Sequence, residues 1–264
     1  MASGIQLVRP LAGDPAVFGK DFPQLTARGY RVRLASSDED LSAIYRLRFR
    51  VFNLELNEGL QEAYLTGEDN DRFDSVFDHL MVEHGSTGQV IGTYRLQTGE
   101  MAARNRGYYS AQEFDFTPYE RLRGELVELG RACVQREHRS FEVLTLLWKG
   151  IAQYARARRA RYLIGCCSLT SQDEQVGSDV YHHLRDCMAP PQLRTVAVRP
   201  YAFAVRPPSS DTPRPPKLLR TYLAVGAQIC STPAIDREFN TIDFLTLMDL
   251  DQLAPSVRAR LIGE

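Results

Sequence analysis

Hydrophobic and polar positions follow two different periods along the chain, and these periods predict interleaved strands and helices. Residues 30–34 alternate strictly between polar and apolar side chains, as a half-buried strand does. After Ser36 or Ser37, apolar side chains recur at helical spacing as far as Phe52, which predicts a capped helix. Two β-like runs, 79–83 and 90–96, flank a turn rich in glycine and predict a hairpin.

The second half of the chain continues the same alternation of strands and helices. Further elements are predicted in this order: a strand at 125–134, a helix from Ser140, a strand at 162–169, a helix through 180–184, a short helix at 218–225 and a strand at 239–248. This order indicates an α+β fold with a mixed central sheet flanked by helices.

The same patterns divide the chain into one domain with two extensions. Residues 1–28 show no hydrophobic period and predict a loosely attached arm. We expect a single domain over 29–250, with a surface loop at 206–216, where prolines prevent regular structure. Residues 251–264 are assigned to a C-terminal tail.

Composition and the length of the apolar runs indicate in which compartment the protein is expected. The chain has 264 residues and 44% hydrophobic content, enough for a full core. Its apolar runs are far shorter than the roughly 20 residues that span a bilayer. Its first residues lack the basic start and apolar run of a secretory signal. We therefore expect a cytoplasmic protein.

Two classes of binding site are disfavoured. The five cysteines include no CxxC pair, which argues against a zinc site or a disulfide framework, so no metal is expected. The formal net charge is -1, and no basic block is interleaved with aromatic residues, so nucleic acid is not an expected partner.

Four groups of motifs occur in a fixed order along the chain. They are LRFRVF at 47–52 with DRFD at 71–74, VIGTYRL at 90–96 with YYS at 108–110 and EFD at 113–115, ELGRACV at 128–134, and FNT at 239–241 with Asp236 and Asp243. Together they resemble the branch of the GNAT acyltransferase superfamily that contains ornithine lipid N-acyltransferases and, more distantly, acyl-homoserine-lactone synthases. The likeness spans about residues 30 to 250, and the ordered set is far more specific than any single motif.

The resemblance implies a GNAT-like fold and a reaction. That reaction moves a (3-hydroxy)acyl group from acyl carrier protein to the α-amine of ornithine, giving a lyso-ornithine lipid. No cofactor is permanently bound, since the donor is the 4'-phosphopantetheine of the carrier or coenzyme A. An amphiphilic product would also allow peripheral contact with the inner membrane.

Several alternatives stay open at this stage. The acceptor could be glycine, lysine or a homoserine derivative, and the donor an acyl-coenzyme A. A membrane-lytic protein and a non-catalytic carrier-binding module are rivals of other classes. Acyl chain length and oligomeric state are not encoded in these motifs.

Glu128 and Arg131 are the candidate catalytic residues. On a regular strand Glu128 shares a face with small and apolar residues, which would desolvate its carboxylate and suit it to accept a proton from the amine. The resemblance pairs it with Arg131, yet residues three apart on a strand face opposite ways. We therefore expect a β-bulge near Gly130 and an oxyanion contact from the backbone around Leu129 to Arg131. The alternative is that Glu128 forms a structural ion pair.

The turn after this strand predicts how the donor is held. Residues 135–141 contain no glycine, unlike the phosphate cradle of enzymes that use coenzyme A. We expect Arg136, Arg139, Ser140 and the helix N-terminus to meet the single phosphate of a phosphopantetheine arm. Arg104 and Arg106 would extend this basic surface towards an acidic carrier protein. The alternative is that these arginines are solvated loop residues.

A third set of residues is assigned to the acceptor by resemblance. It consists of Arg48, Phe52, Asp71, Asp74 and Arg95, with Asp236 and Asp243 as partners for a side-chain ammonium. An equally weighted alternative to acceptor binding is that Arg48, Asp71, Asp74 and Arg95 form a salt-bridge network that orders this segment.

Overall fold

The strands of the protein build one mixed sheet. The computed structural model describes residues 22, 24–210 and 213–262, so most of the predicted arm lies outside the described residues. The strands are β1 Leu25–Ala27, β2 Tyr30–Leu34, β3 Asp78–His84, β4 Val90–Thr98, β5 Leu126–Val134, β6 Tyr162–Leu169, β7 Gln228–Ile229, β8 Ala234–Asp236 and β9 Thr241–Asp249. In the described residues they form a nine-stranded sheet of order β1-β2-β3-β4-β5-β6-β9-β7, with β8 also on β9.

The helices flank this sheet. They are α1 Asp38–Arg48, α2 Ala63–Thr66, α3 Gly99–Arg104, α4 Phe141–Ala157, α5 Glu174–His183, α6 Lys217–Ala224 and α7 Pro255–Leu261. Ser37 and Ser140 cap α1 and α4, because each side chain accepts a hydrogen bond from a backbone N–H of the first turn. The predicted α+β class, with a mixed sheet flanked by helices, is confirmed.

Some local structure departs from the sequence prediction. Among the residues that the structure describes, β1 precedes Tyr30, and α7 lies within the segment assigned to the tail. The predicted single helix through Phe52 is instead α1 followed by a π-helix, Phe49–Leu56. No regular element lies in the described part of the Pro-rich loop before Lys217, as predicted. None of the helices described is both long and apolar enough to cross a bilayer.

Strands β5 and β6 are paired over only part of their length. They run parallel and pair at Leu126↔Tyr162, Val127↔Leu163 and Glu128↔Ile164. Beyond Glu128 the two strands diverge, while β6 stays paired with β9 as far as Leu169↔Ile242. The divergence opens a gap in the middle of the sheet.

A bulge lies at the same level on the other side of β5. Thr93 pairs with Cys133 and Arg95 with Gly130, so Arg131 and Ala132 stand opposite the single residue Tyr94. The predicted bulge near Gly130 is confirmed. Arg131 itself, rather than Gly130, adopts a left-handed conformation with a φ of 47°. A non-glycine residue in that region is uncommon, and here the extra residue re-aims the arginine side chain.

The main core lies between the sheet and α4. Val143, Leu146 and Leu147 of α4 pack on strand residues that include Val32 and Leu80. At Gly150 the helix approaches the sheet so closely that an added Cβ would lie 2.9 Å from a methyl carbon of Leu80. This packing fixes α4 beside the diverging strands.

Candidate active site

A cavity of about 360 Å³ occupies the gap between β5 and β6. Residues 129–132 of β5 and 163–168 of β6 line it in unbroken succession. Successive side chains of a strand point to opposite faces of a sheet. The cavity therefore passes through the sheet from the α4 face to the opposite face.

The α4 side of the cavity is apolar. It is lined by Tyr94, Trp148, Ile151, Ala152, Leu163, Tyr222, Met248, Leu250 and Leu261. The hydroxyl groups of Tyr94 and Tyr222 are hydrogen-bonded to each other, so each phenol oxygen has a partner. What remains is a surface suited to a hydrocarbon chain.

The opposite side of the cavity carries three buried carboxylates. Glu113, Asp236 and Asp243 each place a carboxylate oxygen within 4.8 Å of the other two. They are only 2%, 4% and 4% exposed, which leaves little water to screen their mutual repulsion. Asp236 accepts hydrogen bonds from the backbone N–H groups of Glu238 and Phe239, at 2.8 and 3.1 Å. Glu113 Oε2 and Asp243 Oδ1 accept no hydrogen bond from an N–H group or hydroxyl of the described residues, and the Glu113 and Asp243 carboxyl groups hydrogen-bond to each other when one of them holds a proton.

Burial and mutual repulsion make this cluster a strong binder of protons. Burial, with the nearby Asp243 and Asp236, raises the pKa of Glu113 well above its usual value. Burial, reinforced by Asp236, raises the pKa of Asp243 to about 6. Like charges this close cannot all ionise without a cation, so the cluster keeps a proton until a positively charged group arrives.

Glu128 does not face the cavity, and its predicted orientation into the cleft is wrong. It is buried and accepts hydrogen bonds from Gln97 Nε2 at 2.6 Å, Tyr109 N at 2.9 Å and Ser110 N at 2.7 Å. Tyr109 and Ser110 do line the cavity. Glu128 is thus a positioning residue, because its carboxylate fixes the backbone of the wall between itself and the cavity.

Arg131 lines the cavity at the bulge. Its guanidinium carbon lies 4.2 Å from the centre of the Phe52 ring and 4.9 Å from that of Phe239. One terminal nitrogen is hydrogen-bonded to Asp69. Its Nε is buried without a hydrogen-bond partner in the described part of the chain. The side chain is held rigidly, with donor capacity left over.

Four of the predicted acceptor residues form a buried ion-pair network instead. Arg48 NH1 and Arg95 NH1 lie 2.7 and 3.0 Å from the same oxygen of Asp74, and Arg95 NH1 is 2.7 Å from Asp71. None of these four lines the cavity, whereas Phe52 does. We therefore replace the predicted contact of these four residues with the acceptor by the alternative interpretation. In that interpretation they form a salt-bridge network that orders the loop after the π-helix.

The network predicts a large stability effect for Asp74→Asn. Burial opposes ionisation of Asp74, yet Arg48 and Arg95 hold its pKa well below its usual value. Removing one partner leaves buried guanidinium groups uncompensated, so the free energy of unfolding in urea should fall by about 3–5 kcal/mol. Asp249→Asn, which breaks the more exposed pair with Arg161, serves as the control and should cost under about 1 kcal/mol. A similar loss in both variants would contradict the network's role.

The residues predicted to hold the donor divide into two groups. Leu129 and Gly130 line the cavity. Arg136 is exposed, the Ser140 side chain caps α4, and the Arg139 guanidinium donates to both oxygens of Glu55 at 2.5 and 2.8 Å. Glu55 directly precedes Leu56, which lines the cavity and is 39% exposed. The turn thus borders the cavity mouth rather than the cavity itself.

A hydrogen bond links two of the polar residues that line the cavity. Thr170, at the end of β6, donates to the carboxylate of Glu58, whose pKa is raised by burial. Arg104 and Arg106 are exposed at the end of α3 and do not line the cavity.

Sequence reasoning missed Glu113 as a site residue. It lies between two 3-10 helices, Ser110–Gln112 and Thr117–Glu125, where no hydrophobic period marks an inward face. The signal for it was its place in the second motif group, next to Tyr109 and Ser110. Asp236 and Asp243, by contrast, lie in the cavity where an acceptor residue would be expected.

Comparisons with known proteins agree with this geometry. Residues 47–149 match the acetyltransferase (GNAT) domain family. The chain is 34% identical over 244 residues to the L-ornithine N(alpha)-acyltransferase of Agrobacterium fabrum, covering 84% of this chain and 81% of that protein.

Two solved structures share the fold at low sequence identity. FeeM, an N-acyl amino acid synthase from uncultured soil microbes, has a TM-score of 0.54 at 12% identity, covering 86% of this chain and 95% of that one. The coenzyme A-dependent acyl-homoserine lactone synthase BjaI has a TM-score of 0.51 at 13% identity, covering 86% and 82%. At these identities the likeness concerns the fold alone.

Proposed function

The chain belongs to the L-ornithine N(alpha)-acyltransferase family of GNAT-fold enzymes, and we propose that it moves a 3-hydroxyacyl group from acyl carrier protein to the α-amine of ornithine. The product would be a lyso-ornithine lipid. The observation that carries the proposal is a single cavity with an apolar half and a half that ends in three carboxylates. The two halves meet where the sheet opens, which is where an acyl chain and a cationic amino acid would be joined.

The donor thioester fits the opening between β5 and β6. With the acyl chain on the α4 side, the thioester carbonyl lies beside the β5 backbone around Leu129 to Arg131. Pairing with β6 ends at Glu128, and the β5 backbone just beyond it is proposed to offer N–H groups to the carbonyl oxygen. Such donors stabilise the negative charge that develops on that oxygen during amine attack.

The acceptor amine must lose a proton to become a nucleophile. An α-amine titrates near pH 8 in model peptides, so a modest base suffices. The neutral amine attacks the carbonyl carbon, the C–N bond forms, and the C–S bond breaks as the pantetheine thiol leaves with a proton. The proton that the ammonium form of the acceptor loses beforehand is proposed to pass to solvent, since Glu128 does not line the cavity.

Carrier protein as the donor is supported by the turn at the cavity mouth. It has no glycine cradle for a pyrophosphate, Arg139 is paired with Glu55 next to the lining residue Leu56, and Arg136 is exposed in the same turn. Acyl carrier protein is acidic, so basic side chains here would steer and orient it. The amphiphilic product would bring the enzyme into peripheral contact with the inner membrane surface from the cytoplasm.

Charge reversal at the turn separates the two donors. Arg136→Glu should raise KM for acyl carrier protein about five- to tenfold, because an attractive rim charge becomes repulsive. The kcat/KM for the same acyl group on coenzyme A should change much less. Arg185→Glu, also on the surface, is the matched control and should behave as wild type. Equal effects of Arg136→Glu on both donors would argue against a carrier surface at this turn.

A direct assay tests the proposed function. The purified protein is supplied with 3-hydroxyacyl carrier protein and, in separate reactions, with ornithine, lysine, glycine or homoserine lactone, and products are identified by mass spectrometry. We expect Nα-acylornithine as the dominant product. Preference for another acceptor, or leakage of liposomes in the absence of any donor, would contradict the proposal.

A further inference from the structure

We propose that Arg131 binds the α-carboxylate of the acceptor while Glu113, Asp236 and Asp243 bind its side-chain ammonium, so that the enzyme itself selects the α-amine for acylation. This inference rests on the proposed function, since it assumes an acceptor with two amines. Beyond the proposed function, it names the residues that bind each end of the acceptor. It also explains why one amine reacts and the other does not.

Arg131 has the features of a carboxylate receptor. Within the described residues it is the one basic side chain that lines the cavity. The rings of Phe52 and Phe239 fix its plane, and Asp69 occupies only one terminal nitrogen. Its Nε is buried without an acceptor, which is costly for a charged group and points to an anion that is present when the enzyme works. A guanidinium is well suited to hold a carboxylate through two parallel hydrogen bonds.

The carboxylate cluster has complementary features. Glu113 Oε2 and Asp243 Oδ1 are buried, accept no hydrogen bond from an N–H group or hydroxyl of the described residues, and belong to residues that line the cavity. An ammonium group offers three N–H donors and the positive charge that the cluster lacks. Once bound there, the side-chain amine is held in its protonated form, which has no lone pair and cannot attack a thioester.

One loop sets the spacing between the two ends. The ring of Phe239 packs against the Arg131 guanidinium, and its backbone N–H donates to Asp236. The cationic end of the site and the acidic end are thereby tied to the same short segment. The α-amine shares a carbon with the carboxylate, so binding at Arg131 leaves it beside β5, where the thioester carbonyl is proposed to lie.

The experiment compares ornithine with ornithinamide, in which the carboxylate is replaced by a neutral amide. The ratio of their kcat/KM values is measured for wild type and Arg131→Gln, because a ratio does not depend on the folded fraction of a sample. Wild type should prefer ornithine by roughly 10- to 100-fold, the value of a buried charge-assisted contact. In Arg131→Gln the ratio should approach one, because the variant no longer distinguishes a carboxylate from an amide. Arg185→Gln, a surface arginine, should keep the wild-type ratio.

Each outcome separates this inference from the function on which it rests. If wild type fails to acylate ornithine, the proposed function is wrong. If wild type acylates ornithine and Arg131→Gln keeps the full preference for it over ornithinamide, the function stands and the inference is overturned. Should Arg131→Gln lack turnover, calorimetric binding of ornithine and ornithinamide to the folded variant gives the same comparison. Loss of wild-type activity in EDTA, restored by Mg²⁺, would assign the carboxylates to a metal ion and also overturn it.

Discussion

Asp243→Asn is expected to lower kcat/KM for ornithine by roughly 100-fold, as truncation of a buried charge pair does, and at the same time to stabilise the folded protein. Asparagine keeps the shape of the side chain but removes one negative charge from the cluster. Binding of an ammonium group is weakened, because the attraction that offsets its dehydration is reduced. Folding is favoured, because a buried carboxylate near Glu113 and Asp236 no longer has to ionise at neutral pH.

The stability effect has a definite pH dependence. Burial raises the pKa of folded Asp243 from 3.8 to about 6, so the native state holds a proton that the unfolded chain releases. Wild-type stability therefore falls as pH rises between these values, and the penalty is complete above about pH 6. Thermal unfolding at pH 5 and pH 7.5 should show the advantage of Asp243→Asn mainly at the higher pH. Asp186→Asn, on the surface, is the control, and an Asp243→Asn variant that is both active and less stable than wild type would contradict the account.

Ala152→Phe is expected to shorten the acyl chain that the enzyme accepts. Ala152 lies on α4 in the apolar wall of the cavity, so a phenyl ring at this position would fill space assigned to the chain. Each buried methylene contributes about 0.8 kcal/mol, so excluding four of them should lower kcat/KM for long chains by roughly 200-fold. Short chains that end before the ring should be transferred at nearly the wild-type rate.

A series of donors of increasing chain length measures this effect. Wild-type kcat/KM should rise with chain length, and the Ala152→Phe curve should level off several methylenes earlier. Ala157→Phe is the matched control, since Ala157 is exposed on the same helix and should leave the curve unchanged. A uniform loss at every length would indicate a general packing defect, and the assignment of this side of the cavity to the acyl chain would then be wrong.

Much of the fold could be predicted because its signals are local. Alternation marked β2, two serines at the start of apolar periods marked the caps of α1 and α4, and a glycine-rich turn marked the β3–β4 hairpin. The bulge near Gly130 could also be predicted. Glu128 and Arg131 were expected to act together, and residues three apart on a regular strand face opposite ways. Elements whose order depends on distant contacts, such as β1 on β2 and the short helix α7, lacked such signals.

The site was harder to predict because a charged residue does not encode its partner. In the sequence, nothing distinguishes the carboxylates of Asp71 and Asp74 from those of Asp236 and Asp243. In the structure, the first two form ion pairs with arginines, whereas the last two lie beside another carboxylate, Glu113. Glu128 lies on the strand where it was expected, but its carboxylate is held by the Tyr109–Ser110 backbone from a segment with no predicted structure. Only the folded arrangement distinguishes a structural carboxylate from one that faces the cavity.

A crystal structure with bound Nα-acylornithine tests the central proposition most directly, namely that a single passage through the sheet holds both substrates. The account predicts hydrocarbon density against Trp148, Ile151 and Ala152, the amide between β5 and β6, and the side-chain ammonium within hydrogen-bond distance of Asp243. Product density that lies wholly on one face of the sheet, or an ammonium group remote from Glu113 and Asp243, would contradict it.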